Sequence, residues 1–206
     1  MSQITNLAFR GQSLAIGSLT LICLFSLGSS SAFSQEKSKP ETIEATARGT
    51  ETQVGNEFPV TLTIYEYSTQ ADKQILNEAF QNGKDQGLFN ALSKMKAVGH
   101  IAVTGTLGYD VSYIQETSTP TGRKIRFVTN RLLRFGEVYR DSRSTSYNLT
   151  AGEIDINDAD KSKSTGTFYP EAELAIDKQG ELQYNLVGFP WQLVGIVDWK
   201  GTPGIN

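Results

Sequence analysis

From residue 58 onward the spacing of apolar positions changes twice, and each change marks a new kind of element. Val60, Leu62 and Ile64 alternate with Thr61, Thr63 and Tyr65, the period-two pattern of a half-buried strand. At Thr69 the pattern becomes helical. Thr69-Gln70-Ala71-Asp72 has the form of a capping box, with the Thr69 hydroxyl placed to accept from the amide three residues on. Ile75, Leu76, Ala79 and Phe80 then share one helical face, and Gly83 offers a stop. A second helix is expected from Asp85 to Ala97, striped by Leu88, Ala91, Leu92 and Met95. Helices of about 13 residues are marginal alone in water, so the pair is expected as a hairpin packed on a sheet.

After Gly99 the period returns to two. Ile101, Val103 and Leu107 alternate with Ala102, Thr104 and Thr106; Tyr109, Val111 and Tyr113 follow a break at Gly108. Thr119-Pro120-Thr121-Gly122 reads as a turn, and Ile125 and Phe127 then face away from Lys124 and Arg126. Further strands are expected at 147–149, 153–157, 168–176, 181–187 and 192–199, with Asp177-Lys178-Gln179-Gly180 as a hairpin turn. One strand, two helices and a run of strands give an α+β fold. Its sheet is expected to be mainly antiparallel, curled into a sandwich or partial barrel.

The amino-terminal segment obeys a different logic. Residues 1–34 carry Arg10, an apolar run from Leu14 to Leu27, and small residues at Ala32 and Ser34, the pattern of a signal peptide removed on export. Cleavage after Ala32 is a second reading of the same residues. The run is shorter than the roughly 20 residues that span a bilayer. Cys23 follows bulky Ile22 inside the run, which does not suit lipid attachment. Residues 35–41 read as a polar leader and 42–206 as a single domain, working in the periplasm or outside the cell.

Composition narrows the chemistry. The chain has 19 Lys and Arg against 22 Asp and Glu, net −3, and loss of the signal segment removes one arginine and the only cysteine. That balance argues against general nucleic-acid binding, and a cysteine-free domain has no thiolate nucleophile, thiolate metal site or disulfide. No second apolar span follows, so the processed chain is not expected to be an integral helical membrane protein. No P-loop or dinucleotide-binding glycine motif occurs, and no cofactor is expected.

Within this acidic chain, residues 123–143 are basic. Arg123, Lys124, Arg126, Arg131, Arg134, Arg140 and Arg143 stand against Glu137 and Asp141 only. Arginine forks suit phosphate and carboxylate, so Arg126, Arg131, Arg134, Arg140 and Arg143 are the candidate ligands for an anionic head group or cell-wall polymer. The competing reading makes these residues solvated strand faces paired with acidic neighbours, with Arg126 and Arg131 on opposite faces.

Asp158-Ala159-Asp160 opens like a calcium loop, but Lys163 and Tyr169 occupy the glycine and glutamate positions, so a solvated hairpin loop is expected. His100, the only histidine, opens a strand, and no nucleophile elbow accompanies it. Phe189-Pro190-Trp191 suits core packing or the wall of an apolar pocket. Asn148-Leu149-Thr150 has the form of a glycosylation sequon and nothing more.

Gly108-Tyr109, Tyr113, Gly122-Arg123-Lys124-Ile125, Thr129-Asn130-Arg131, Phe135-Gly136-Glu137 and Tyr147-Asn148-Leu149, taken together, resemble a group of secreted bacterial proteins of unknown function. The resemblance runs from about Glu57 to Leu186 and implies export and a single domain. The expected function is a non-enzymatic envelope protein that binds a ligand or protein through a β surface. One alternative is a hydrolase of envelope material using paired carboxylates. Another is an interaction protein docking through an exposed stripe at Leu76, Phe80, Leu88 and Leu92.

Overall fold

The computed structural model describes residues 39–51, 54–129, 149–186 and 189–200. Nine strands and one helix follow in order: β1 (Glu41–Arg48), β2 (Glu57–Ile64), α1 (Gln70–Leu92), β3 (Gly99–Val103), β4 (Tyr109–Thr119), β5 (Gly122–Thr129), β6 (Leu149–Asn157), β7 (Thr165–Ile176), β8 (Leu182–Leu186) and β9 (Trp191–Asp198). Each strand from β1 to β7 pairs antiparallel with the next in sequence, β7 also pairs with β9, and β9 pairs with β1. The sheet therefore closes on itself as an eight-stranded barrel, with β8 added outside it along the second half of β7. The expected sandwich or partial barrel is a full one. Among the described residues every element lies between Glu41 and Asp198.

Eight strands enclose a space just wide enough for side chains to fill. Here the alternation sends Ile43, Leu62, Ile101, Val111, Ile114, Ile125, Phe127, Ile154, Phe168, Trp191 and Leu193 into one buried interior cluster. Phe58 packs on Trp191 with ring centroids 5.4 Å apart, and Phe127 stacks on Phe168 at 6.3 Å. Across from Phe127 the register places Gly152, where any Cβ would overlap the Phe127 ring. Interior volume is thus shared between one large and one absent side chain.

Three register shifts bend the strands for closure, at 44–46, 111–113 and 149–151. The shift in β4 overturns one expectation. Tyr113 does not share a face with Val111; Val111 and Ile114 point in, and Tyr113 points out into a second buried cluster. That cluster lies between the outside of the barrel and α1, and joins Leu76, Leu88 and Leu92 to Tyr113, Val128, Leu149, Ala151, Ala172, Leu174 and Leu182.

The helix differs from the expected two-helix hairpin. It is one element, begun by the expected capping box at Thr69 and Asp72 and broken at Lys84, whose φ of 47° and ψ of −137° are not helical. A Cβ on Gly87 would overlap the backbone carbonyl of Ala79, eight residues earlier. In a straight helix those positions are about 12 Å apart, so the bend folds the second arm back toward the first. The second arm ends at Leu92, short of Ala97. The bend lets Leu76 and Leu88 bury together, and the stripe expected to be exposed is covered: Leu76, Leu88 and Leu92 are buried and Phe80 is partly so. Among the described residues no helix is long and apolar enough to cross a membrane.

The bend supplies a test. Lys84 occupies a positive-φ conformation that glycine adopts freely. Lys84→Gly should raise unfolding stability by about 1 kcal/mol, whereas Gly87→Ala should lower it by about 2 kcal/mol or more, because the Ala79 carbonyl cannot move away. Urea unfolding of both variants measures this; a stable Gly87→Ala protein would contradict the fold-back.

Candidate functional site: a buried arginine at one barrel mouth

Strand parity places charge inside the barrel. Arg123 shares its face of β5 with Ile125 and Phe127, Glu41 shares its face of β1 with Ile43, and Glu116 follows Ile114 inward on β4. Asp198 ends β9 two residues after buried Ile196. These four side chains meet at one mouth, where Tyr67 reaches in from the link between β2 and α1.

The geometry is that of one cation shared among many acceptors. Arg123 Nη1 donates to Glu116 Oε2 at 2.5 Å, Tyr67 Oη at 2.8 Å and Glu41 Oε2 at 3.3 Å. Its Nη2 donates to Asp198 Oδ2 at 2.7 Å and also to Glu41 Oε1. Tyr67 Oη donates to Glu41 Oε2 at 2.9 Å, and Lys200 Nζ stands 3.7 Å from Glu116 Oε2. Arg123, Glu41 and Asp198 expose only 9%, 8% and 11% of their side chains, while Glu116 exposes 32% and forms the outer lip. Burying this much charge requires full pairing, since a lone buried ion costs several kcal/mol.

The electrostatics follow from the pairing. Burial pushes the Glu116 carboxyl up, but hydrogen bonds to Arg123 and Tyr67 and the charge of Lys200 outweigh it and hold the group below the ordinary 4.5. Burial works against the Arg123 cation, yet the bonds to Glu41, Glu116 and Asp198 hold it charged well above its usual range. Burial, then the charge and hydrogen bond of Glu41, lift the Tyr67 phenol well above 10.0. A carboxylate-pair hydrolase needs one carboxyl raised so that it can donate a proton. Glu116 is moved the other way, toward the charged form.

On the outside of the barrel, the basic stretch divides. Arg126 and Glu153 are direct cross-strand partners, and Arg126 Nε meets Glu153 Oε2 at 2.6 Å. Lys124 Nζ meets Glu153 Oε1 at 2.5 Å and Asp155 Oδ2 at 3.4 Å. Burial raises the Glu153 carboxyl, and its bonds to Lys124 and Arg126 more than reverse this, leaving it below 4.5. Arg126, a candidate anion ligand, therefore stands in a cross-strand ion pair. Arg131, Arg134, Arg140 and Arg143 lie outside the described residues. Arg123, counted among the surface cations, is inside.

The remaining candidates are structural. His100 Nε2 hydrogen-bonds the Leu107 carbonyl at 2.9 Å, with Asp110 Oδ1 3.5 Å from its other ring nitrogen. Asp160 accepts from the Ser162 amide and hydroxyl and opens a single 3-10 turn over Lys161–Lys163, the expected hairpin loop. Trp191 is wholly buried and Phe189 is half-exposed. Sequence reading missed the cluster around Arg123 because composition was counted without parity. The signal was present: Arg123, Ile125 and Phe127 sit at odd positions of one strand, and Glu41 precedes Ile43 by two.

Removing Arg123 leaves two buried carboxylates without their cation. Arg123→Met should cost about 3–5 kcal/mol of stability in urea unfolding. Adding Glu41→Gln and Asp198→Asn should restore part of that loss; further destabilisation by the triple change would contradict the ionic account. A second test is pH. Glu116, Glu153 and Glu181, the last held down by bonds to Lys73 and Gln115, are all below 4.5, so their stabilisation is present above that pH and fades as acid protonates them. Burial and the charges of Glu181 and Asp72 raise the Tyr113 phenol from 10.0 to about 12, so its contribution is intact below pH 10 and is lost as pH climbs toward 12. Stability against pH should show a plateau falling on both sides, and Tyr113→Phe should soften the alkaline fall.

Comparison with protein-family models, with curated proteins and with solved structures finds no match for this chain.

Proposed function

We propose that this chain is an exported, non-enzymatic binding protein of the bacterial envelope, which holds an anionic polymer or head group through the later part of its basic stretch. The observation that carries the reading is how the fold spends its other cations. Arg123 is enclosed by three carboxylates, and Lys124 and Arg126 share Glu153. Between Thr129 and Leu149 the sequence then holds Arg131, Arg134, Arg140 and Arg143 against only Glu137 and Asp141. That segment follows β5 and precedes β6 in the sequence, and its charge balance is positive. The resemblance to secreted proteins and the signal-peptide pattern support the location. The carboxylates of Glu41, Glu116 and Asp198, all bound by Arg123, favour a structural part for that cluster.

The test uses residues 35–206, which hold every strand among the described residues and both buried clusters. Inorganic polyphosphate, added to about 100 times its dissociation constant, should stabilise the folded chain by about 2.7 kcal/mol, and salt should erase the shift. Reversing Arg131, Arg134, Arg140 and Arg143 to glutamate should abolish it. Thermal melts that ignore polyphosphate, or that keep the shift in the reversed variant, would remove the anion reading.

A further inference from the structure

The bend in α1 holds the two halves of one reactive pair. Asn82 and Gly83 stand immediately before Lys84, where the helical path breaks, and residues 81–86 are all exposed. An asparagine followed by glycine can close on itself. The glycine amide nitrogen attacks the carbonyl carbon of the asparagine side chain, and the second residue has no side chain to obstruct the approach. Asparagine is thermolabile for this reason. Space around Gly83 is open, since a Cβ placed there would meet nothing within 4 Å.

The fold decides whether such a pair reacts. Inside an α-helix each amide nitrogen is bound to the carbonyl four residues back, which for Gly83 is Ala79, and that bond holds the nitrogen away from the preceding side chain. Here the helical path stops at the next residue, because Lys84 takes φ 47° and ψ −137°. Gly83 therefore belongs to the last turn of the first arm, and helix ends fray. The other described asparagines differ. Asn90 accepts from Gln86, Asn157 accepts from the Asp160 amide, and the side-chain oxygen of Asn77 is buried. None of these precedes a glycine, nor do Asn56 and Asn185.

We infer that Asn82 is a site of spontaneous deamidation that opens the bend of α1. The Gly83 nitrogen gives up its proton to water and bonds to the side-chain carbonyl carbon of Asn82. The carbon–nitrogen bond of the side-chain amide breaks, and ammonia leaves. Water then opens the cyclic imide at either carbonyl, leaving aspartate or isoaspartate, so water is the only co-reactant. Either product puts a new carboxylate into a groove of about 300 Å³ that Gly83, Gly87 and Lys94 also line. The isoaspartyl product in addition runs the main chain through the side-chain carbon and lengthens it by an atom. Gly87 leaves no room for even a Cβ against the Ala79 carbonyl, so the added length displaces the second arm, which buries Leu88 and Leu92. The inference does not rest on the arginine segment.

The test is a time course of the purified folded chain at physiological temperature and neutral pH, read by trypsin digestion and tandem mass spectrometry. Cleavage at Lys73 and Lys84 releases residues 74–84, which carry Asn77 and Asn82 together. Asn82 should show the mass gain of exchanging an amide NH2 for OH, while Asn77 in the same peptide keeps its amide. Gly83→Ala fits the open space and should fold as the parent does, yet it should slow conversion by about ten-fold or more by hindering the approach of the nitrogen. A parallel incubation in urea gives the rate without the fold. A folded chain that keeps Asn82 intact while the chain in urea converts shows that the helix protects Gly83, and overturns the proposal. Conversion shared equally by Asn77, or unchanged in Gly83→Ala, overturns it as well. The isoaspartyl fraction should lose hydrogen-exchange protection at Leu88 and Leu92; protection equal to that of the parent overturns the opening of the bend.

Discussion

The volume inside eight closed strands is the constraint on which everything else depends. A barrel of this size has room for its own side chains and little besides. Phe127, Phe168 and Trp191 occupy the middle, and Gly152 makes the room that Phe127 takes. Toward the mouth the interior must end in something that meets water on one side and isoleucine on the other. Arg123 does this, its guanidinium turned toward Glu41, Glu116, Asp198 and Tyr67 while its strand neighbours continue the apolar core. The ionic cluster also ties β1, β4, β5 and β9 together at this mouth.

The outside of the barrel divides into a covered and an open half. α1 packs on part of the outer face of β4 through β8, at Tyr113, Val128, Ala151, Ala172, Leu174 and Leu182. The outward positions of β1 and β2 are instead Thr42, Glu44, Thr46, Thr61 and Thr63, none of which belongs to the cluster under α1. The bend at Lys84 belongs to the same division. A straight helix of this length would run past the barrel, whereas the folded one keeps Leu76, Leu88 and Leu92 on one short patch. The strain at Lys84 is small against the burial of three leucines, each worth roughly 1.5–3 kcal/mol.

Sequence periodicity located the elements and misjudged faces. The strands from β2 to β9, the Thr69 cap and the break near Gly83 follow from local pattern. Strand β1 did not, since Glu41-Thr42-Ile43-Glu44-Ala45 offers one large apolar residue and is held by partners β2 and β9 that lie far along the chain. The face of Tyr113 was lost to a bulge, which leaves no mark in composition. Arg123 was lost for a different reason. A charged residue at an inward position reads as an exception until its partners are known, and Glu41, Glu116 and Asp198 lie 82, 7 and 75 residues away.

This separation changes what a basic stretch means. Seven cations in twenty-one residues look like a field, but a field is a sum over space, and a strand sends its neighbours in opposite directions. Arg123 goes inward to a surplus of carboxylate; Lys124 and Arg126 go outward to Glu153 and Asp155. The first three cations of the stretch therefore add little to the potential beyond the barrel, and each is a joint in its wall. What acts on a distant anion must come from charge the wall does not use. The same reasoning holds for apolar surface. The leucines of α1 face the barrel and are consumed by the second core, so their number in the sequence says nothing of an adhesive surface.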